Sequence, residues 1–320
     1  MEKYGFYDRL TADFPSQINV DMTQVCNLKC IHCPYADFAK SKKNKKYMLN
    51  PSLNKKLVDE VAVAGKEKTQ YIRYTGNGEP LIHKNCIEML AYAAKNSNAL
   101  VTLTTNGTLL SEKTIQALLD TGIYLIDISI DANASESYKK IRGGDFELVK
   151  NNVLNLIKIR NDRNSSSKIV TNFIEQPANH GEAEGFKDFW NANGIDYVII
   201  RKLHSAGNCV EEIANKLSEE KTVRRPCLYP WERILLNAEG QLSFCPVDWT
   251  GNAILADFNE SSVQETWTGS AIESVRSAHL DNSFENCKQC LNCPDWKLTN
   301  WPDEGRSYAN MITDFSNINS

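Results

Sequence analysis

The sequence has no apolar run approaching the ~20 residues that a bilayer-spanning helix needs. Its first residues, Met1-Glu2-Lys3-Tyr4-Gly5-Phe6, lack the apolar core of a secretory signal. Neither a membrane protein nor an exported one is expected, and a cytoplasmic location follows. There is no cationic excess either. The 36 Lys and Arg stand against 40 Asp and Glu, a net charge of −4, so nothing general marks nucleic acid or an anionic membrane as a partner. Internal repeats and long low-complexity segments are absent. Cysteine, by contrast, is plentiful. Ten cysteines without an export signal point to metal ligation rather than disulfides. The 320 residues, 42% hydrophobic and 24% charged, suit a soluble globular protein with one large domain, or one large and one small.

Three of the cysteines form the tightest pattern in the chain: Cys26-Asn27-Leu28-Lys29-Cys30-Ile31-His32-Cys33. Thiolates at this C-x3-C-x2-C spacing can hold three irons of a 4Fe–4S cube on one loop. No further cysteine follows for roughly fifty residues, which leaves one iron open, whereas a closed electron-carrier cluster takes four cysteine ligands. An open iron implies that something other than protein binds there. A four-ligand zinc site, or a cluster closed by a distant cysteine, is the alternative on spacing alone.

From residue 17 to about 203, β-rich runs alternate with helical ones. Strands are predicted at Gln17–Thr23, Gln70–Gly76, Ala99–Gly107, Tyr124–Asp131, Lys168–Gln176 and Asp196–Leu203, with helical patterns from Ser52 onward and over Phe146–Arg160. Six βα units imply an α/β fold, a parallel sheet curled into a partial, TIM-like (β/α)6 barrel with reactive groups on the loops after the strands. The three cysteines follow the first strand. The lysine-rich stretch Lys40–Lys46 reads as a solvated loop. Beyond residue 207 the alternation stops and cysteine and tryptophan become dense, with Cys227, Cys245, Cys287, Cys290, Cys293 and Trp231, Trp249, Trp267, Trp296, Trp301. A barrel over 1–207 and a small metal-stapled unit over 208–320 are therefore expected. Cys86, at a helix start, is expected to pack. Cys209, in a loop after the sixth strand, is expected to be structural, with hydrogen-atom donation as its chemical alternative.

These motifs resemble the radical S-adenosylmethionine (SAM) superfamily over nearly the whole chain. Cys26, Cys30 and Cys33 match its cluster loop, with His32 where an aromatic residue is usual. The resemblance implies that SAM's amino and carboxylate groups chelate the open iron. One electron, from a donor such as flavodoxin or ferredoxin, then yields a 5′-deoxyadenosyl radical that abstracts a substrate hydrogen. Gly76-Asn77-Gly78-Glu79-Pro80 resembles the Gly-Gly-Glu-Pro motif, departing from it at Asn77. By that likeness Gly78 lets backbone approach SAM's ammonium and Glu79 pairs with it. Asn106 in Thr104-Thr105-Asn106-Gly107 would lie near the ribose, Ser129 would contact SAM, and Arg142 would bind its carboxylate.

The tail resembles the auxiliary-cluster domains called SPASM or twitch. Cys227, Gly240 and Cys245 reproduce the first half of the SPASM spacing, with a hairpin signal at Asn237-Ala238-Glu239-Gly240. Only Cys287-x2-Cys290-x2-Cys293 remains of the second half. One auxiliary 4Fe–4S cluster on Cys227, Cys245, Cys290 and Cys293 is expected, with Cys287 a substitute ligand or an unligated neighbour. Zinc on four cysteines is the alternative.

A closed second cluster suits an oxidation, because a substrate radical must give up an electron and a proton. The expected reaction is oxidation of an alcohol carbon in a sugar or aminocyclitol. The first strand starts near residue 17, which leaves no visible peptide-recognition extension and favours a small molecule. Peptide modification and a redox-neutral epimerase or dehydratase are the alternatives. A non-enzymatic iron–sulfur scaffold would need no Gly-Glu-Pro motif. Arg73, Asn172, Glu175, Arg201 and His204 are candidate substrate contacts at the barrel mouth, with Arg201 and His204 as catalytic candidates for taking the proton.

Overall fold

The computed structural model describes residues 10–219 and 222–299; Met1–Phe6 and Trp301, weighed above, lie outside them. Nine strands form one sheet: β1 (Gln17–Val20), β2 (Tyr71–Tyr74), β3 (Leu100–Thr105), β4 (Leu125–Ser129), β5 (Lys168–Glu175), β6 (Tyr197–Lys202), β7 (Arg233–Leu236), β8 (Gln241–Ser243) and β9 (Ile254–Asp257). Their order is β6-β5-β4-β3-β2-β1-β7-β8-β9. The first six are parallel and lie within the six predicted windows.

The sequence reading placed no strand beyond the sixth in this sheet, yet three more join it. β7 runs parallel to β1 with Gln17 opposite Arg233, and β8 and β9 follow antiparallel. The hairpin at Asn237–Gly240 connects β7 to β8. Gly240 takes the left-handed backbone there, φ +88°, and Asn237 Oδ1 accepts the N–H groups of Glu239 and Gln241. The proposed units 1–207 and 208–320 thus share one hydrogen-bonded sheet.

Period-2 alternation decides what each sheet face holds. Ile18, Val20, Ile72, Tyr74, Val101, Leu103, Ile126 and Ile128 belong to the main core under the helices. The helix Pro51–Val63 contributes Leu53, Leu57, Val58 and Val61, and starts where Asn50 Oδ1 accepts from Ser52 N–H. On the opposite, inner face, Tyr71, Leu125, Val170 and Ile199 make a separate apolar cluster at one end of the barrel. Further along the same strands the inner face turns polar, with Arg73, Thr104, Asp127, Asn172 and Arg201. The C-terminal unit has its own core, in which Cys245, Cys287 and Cys290 pack with Phe244, Ile272 and Phe284. Among the described residues no helix is long and apolar enough to cross a membrane.

Candidate active site and auxiliary cysteine centre

Cys26, Cys30 and Cys33 sit on the loop after β1 and face one cavity of about 710 Å³. Local hydrogen bonds shape that loop. Cys26 N–H donates to the Tyr35 hydroxyl at 2.8 Å, Cys33 N–H to the Cys30 carbonyl at 3.1 Å, and Ile31 N–H to the Ile141 carbonyl at 2.9 Å. Burial pushes the Cys26 thiol up to about 11 and Cys33 to about 12, and raises Cys30. Such thiols become thiolates only when a cation replaces the proton.

The loop carrying Gly78 and Glu79 lies against the cysteine loop. Glu79 N–H donates to the Val25 carbonyl at 2.9 Å, and a Cβ on Gly78 would stand 2.2 Å from the Thr23 carbonyl oxygen. Only glycine fits there. The Glu79 carboxylate is buried and accepts from the Thr105 hydroxyl at 2.6 Å and Asn106 N–H at 2.8 Å; burial raises its pKa. Asn106 Nδ2 donates to Asn27 Oδ1 at 2.8 Å, tying the end of β3 to the cysteine loop. Ser129, the last residue of β4, lines the cavity with these groups.

Arg142 donates to Cys30 Sγ at 3.7 Å and is paired with the buried Asp131 carboxylate. Its Nε is buried without a partner and lies at the cavity wall. Asp131 also accepts from Ile174 N–H at 2.8 Å and stands 3.7 Å from His32 Nε2. His32 lines the cavity, and burial holds its ring down at about 4. Asp131 was quoted in the sequence only as part of a strand end. Its backbone is left-handed, with φ +61°, which no sequence signal showed.

Arg201 and His204 also line the cavity. Arg201 donates through Nε to Asn172 Oδ1 at 2.6 Å and stands 3.8 Å from Asp127. His204 is lowered by burial, and its Nδ1 accepts from Ala206 N–H at 3.1 Å. Arg73 contacts Thr104 and Asp127, whereas Glu175 is exposed at the end of β5 and off the cavity. Asp127, the hub of this network, was not singled out from sequence. It interrupts the apolar Leu125–Ile128 run on the face opposite Ile126 and Ile128, and that alternation could have marked it. Cys86 is buried at the first position of its helix, and Cys209 is exposed and off the cavity.

The other four expected ligands gather behind the cavity wall. Cys245 interacts electrostatically with Cys227 and Cys293, and Cys290 with Cys227 and Cys245. Residues next to them (Leu228, Tyr229, Pro246 and Asp295) line the cavity itself. Cys290 N–H donates to the Cys287 carbonyl at 2.9 Å, and the two thiols interact electrostatically. Three groups missed in the sequence surround the set. Gln289 donates to Cys245 Sγ at 3.7 Å, and His279 Nδ1 accepts from Cys227 N–H at 3.4 Å. The Arg224 guanidinium lies 3.7 Å from the Phe284 ring centroid and donates to the Cys290 carbonyl. Among the described residues, no three His, Cys, Asp or Glu side chains meet as ligands of one metal ion. Each set is instead all sulfur, the donor chemistry of iron–sulfur cubes, in which each thiolate takes its own iron.

The model of the Radical SAM superfamily matches residues 20–175, and that of the SPASM iron-sulfur cluster-binding domain matches 227–294. The chain carries a radical SAM domain followed by a SPASM domain. The cofactors this brings are 4Fe–4S clusters and SAM, and the cysteines at Cys26–Cys33 and in the SPASM region supply the donor chemistry those clusters need. A probable GTP 3′,8-cyclase of Methanococcus aeolicus is 29% identical over 219 residues, 65% of this chain and 69% of the relative. A GTP 3′,8-cyclase of Clostridium botulinum is 32% identical over 133 residues, and the chain spans 40% of that relative's length. Among solved structures, BtrN in complex with AdoMet and 2-DOIA superposes with a TM-score of 0.58 at 19% identity, covering 87% of this chain and 92% of that one. Streptococcus suis SuiB bound to precursor peptide SuiA gives 0.65 at 15% identity, covering 94% and 73%. At these identities the structures share the fold.

Proposed function

We propose that this radical SAM enzyme oxidises an alcohol carbon of a small polyol, a sugar or aminocyclitol, with an auxiliary cluster on Cys227, Cys245, Cys290 and Cys293 accepting an electron. When bound, the Cys26–Cys33 cluster and SAM supply the radical that removes the substrate hydrogen. One observation carries the reading: a single cavity of about 710 Å³ is walled by the Cys26–Cys33 loop, the polar inner face of the barrel and the segments flanking the second cysteine set. A small molecule there would have one cysteine set on each side, an arrangement suited to hydrogen removal followed by electron removal. Its size is that of a site for a small ligand.

The chain's own residues divide the remaining work. Glu79 and Asn106 hold the end of β3 to the cysteine loop, and Gly78, Ser129, Arg142 and His32 shape the SAM side of the cavity. Of the two catalytic candidates, the Arg201 guanidinium has no acceptor, so the proton falls to His204, whose Nδ1 must first release the Ala206 N–H because the neutral ring keeps its hydrogen on Nε2. The external electron donor is a flavodoxin or ferredoxin.

The likeness to GTP 3′,8-cyclases favours a second reading, a redox-neutral reaction on a small molecule, and the likeness to SuiB with its peptide favours peptide modification. The anaerobically reconstituted enzyme, given SAM, reductant and a panel of polyols, should release one 5′-deoxyadenosine per product lighter by two hydrogens. A product of unchanged mass would overturn the oxidation.

A further inference from the structure

Arg224 stands three residues before Cys227 and joins the second cysteine set through the short helix Lys288–Leu291. Carbonyls at the C-terminal end of a helix lack intrahelical donors, and Arg224 caps them. Its Nη1 donates to the Leu291 carbonyl at 3.3 Å and its Nη2 to the Cys290 carbonyl at 2.6 Å. The ring of the buried Phe284 covers one side of the guanidinium, 3.7 Å from its centroid. The cation is thereby held among sulfur atoms and interacts electrostatically with Cys290, Cys293, Cys227 and Cys287. Its Nε is buried without a partner, and no carboxylate among the described residues pairs with the group.

Gln289, buried in the same helix, adds a donor on another side: its Nε2 reaches Cys245 Sγ at 3.7 Å, while its Oε1 accepts from the Thr250 hydroxyl at 3.3 Å. Two acids act the other way. Asp295 interacts with Cys293 and Cys227, and Asp248 with Cys245. Backbone N–H groups already hold both, those of Ser205 and Gly207 for Asp295 and those of Thr250, Gly251 and Ala253 for Asp248. The first cysteine set differs, because Arg142, its cation, is paired with Asp131. Reduction adds negative charge to a thiolate-ligated cluster, so a nearby cation and N–H donors to sulfur favour the reduced form.

We infer that Arg224 and Gln289 raise the reduction potential of an iron–sulfur cluster on the second cysteine set, and so fit it to accept an electron. This rests on the reading of an auxiliary cluster on Cys227, Cys245, Cys290 and Cys293, and assigns the side chains that make it an acceptor. Neither residue lines the cavity. Both therefore act through the cluster rather than on the substrate.

The test is a potentiometric titration of the full chain, reconstituted anaerobically and followed by electron paramagnetic resonance. Added SAM should shift the signal of the Cys26–Cys33 cluster, which tells the two clusters apart. At a fixed potential, Arg224→Gln should lower the reduced-to-oxidised ratio of the auxiliary cluster about 10-fold, a midpoint lower by about 59 mV for one electron. The other midpoint should stay in place. Arg224→Lys should restore part of the difference, and Gln289→Leu, which removes a donor and no charge, should shift the midpoint the same way by less. An auxiliary midpoint unmoved in Arg224→Gln, or an equal shift of both clusters, overturns the inference. Should Arg224→Gln fail to assemble its cluster, Gln289→Leu decides, and an unmoved midpoint there overturns it. About four irons in the parent chain would remove the auxiliary cluster itself and the inference with it. About eight irons with unmoved midpoints would keep the cluster and remove the inference alone.

Discussion

A methyl group added at Gly78 should separate the two loops that build the SAM side of the site. An ideal Cβ there stands 2.2 Å from the Thr23 carbonyl oxygen, 2.5 Å from the Val25 carbonyl oxygen and 2.9 Å from the Val25 nitrogen. All three are backbone atoms, so no side chain can rotate away. Reaching even 3.0 Å from Thr23 requires a retreat of about 0.8 Å, the difference between 3.0 and 2.2 Å. Val25 adjoins Cys26, and its carbonyl also accepts from Glu79 N–H, so the displacement passes directly to the first cysteine. Overpacking of this kind costs about 1–3 kcal/mol, and a misplacement near 1 Å at a reacting site costs about 100-fold in rate. Gly78→Ala should therefore lower 5′-deoxyadenosine formation by about two orders of magnitude in the anaerobic assay while the chain still folds. Gly122→Ala is the control, because nothing lies within 4 Å of a Cβ there and its cost is confined to the left-handed backbone at φ +74°. Rates for Gly78→Ala within twofold of the parent would refute the close-approach argument.

Three further outcomes follow from the geometry. Cys290→Ser should cut iron from about eight to about four per chain and leave SAM cleavage intact, whereas Cys287→Ser should retain about eight; the opposite pattern would reassign the ligand. Arg142→Ala leaves Asp131 buried and uncompensated, which should cost about 3–5 kcal/mol. Thermal unfolding should show that loss, and adding Asp131→Asn to the same chain should recover much of it. Burial raises the Asp21 carboxyl to about 7 against 3.8 unfolded. Between these values the unfolded chain releases a proton that the folded chain keeps, so this contribution to stability is complete below about pH 4 and is lost as pH rises through 7. The melting temperature of Asp21→Asn relative to the parent should climb from pH 4 to pH 8, and a difference independent of pH would refute the assignment.

Much of the site was legible because it is local. Cys26, Cys30 and Cys33 lie within one loop, and Gly78 with Glu79 within another, each after a strand whose alternation marks it. Cys86 read as a packing residue and is buried at the start of its helix. Glu79 and Arg142 read as contacts to SAM; the structure shows in addition the partners they already hold, Thr105 and Asn106 for one and Asp131 for the other. Those partners could not be read from spacing, because Glu79 and Arg142 meet them through loop geometry rather than through a repeat.

The order of strands was legible through β6 and not beyond. β7 has only four residues and follows two short helices, Glu211–Glu219 and Tyr229–Glu232, so nothing local shows that it pairs with β1 across more than two hundred residues of chain. Asp127 is the sharper case. Its neighbours Arg73 and Arg201 lie 54 residues before it and 74 after it, and only the registers of β2 through β6 bring the three to one point. By itself the sequence determined the cofactor chemistry and the parallel barrel, since cysteine spacing and period-2 alternation act over a few residues. Tertiary structure alone decided that the second cysteine set stands behind the same cavity and that Asp127 meets Arg73 and Arg201 on the inner face. Contacts of this kind belong to neighbours in space, and a sheet makes neighbours of residues that the chain keeps far apart.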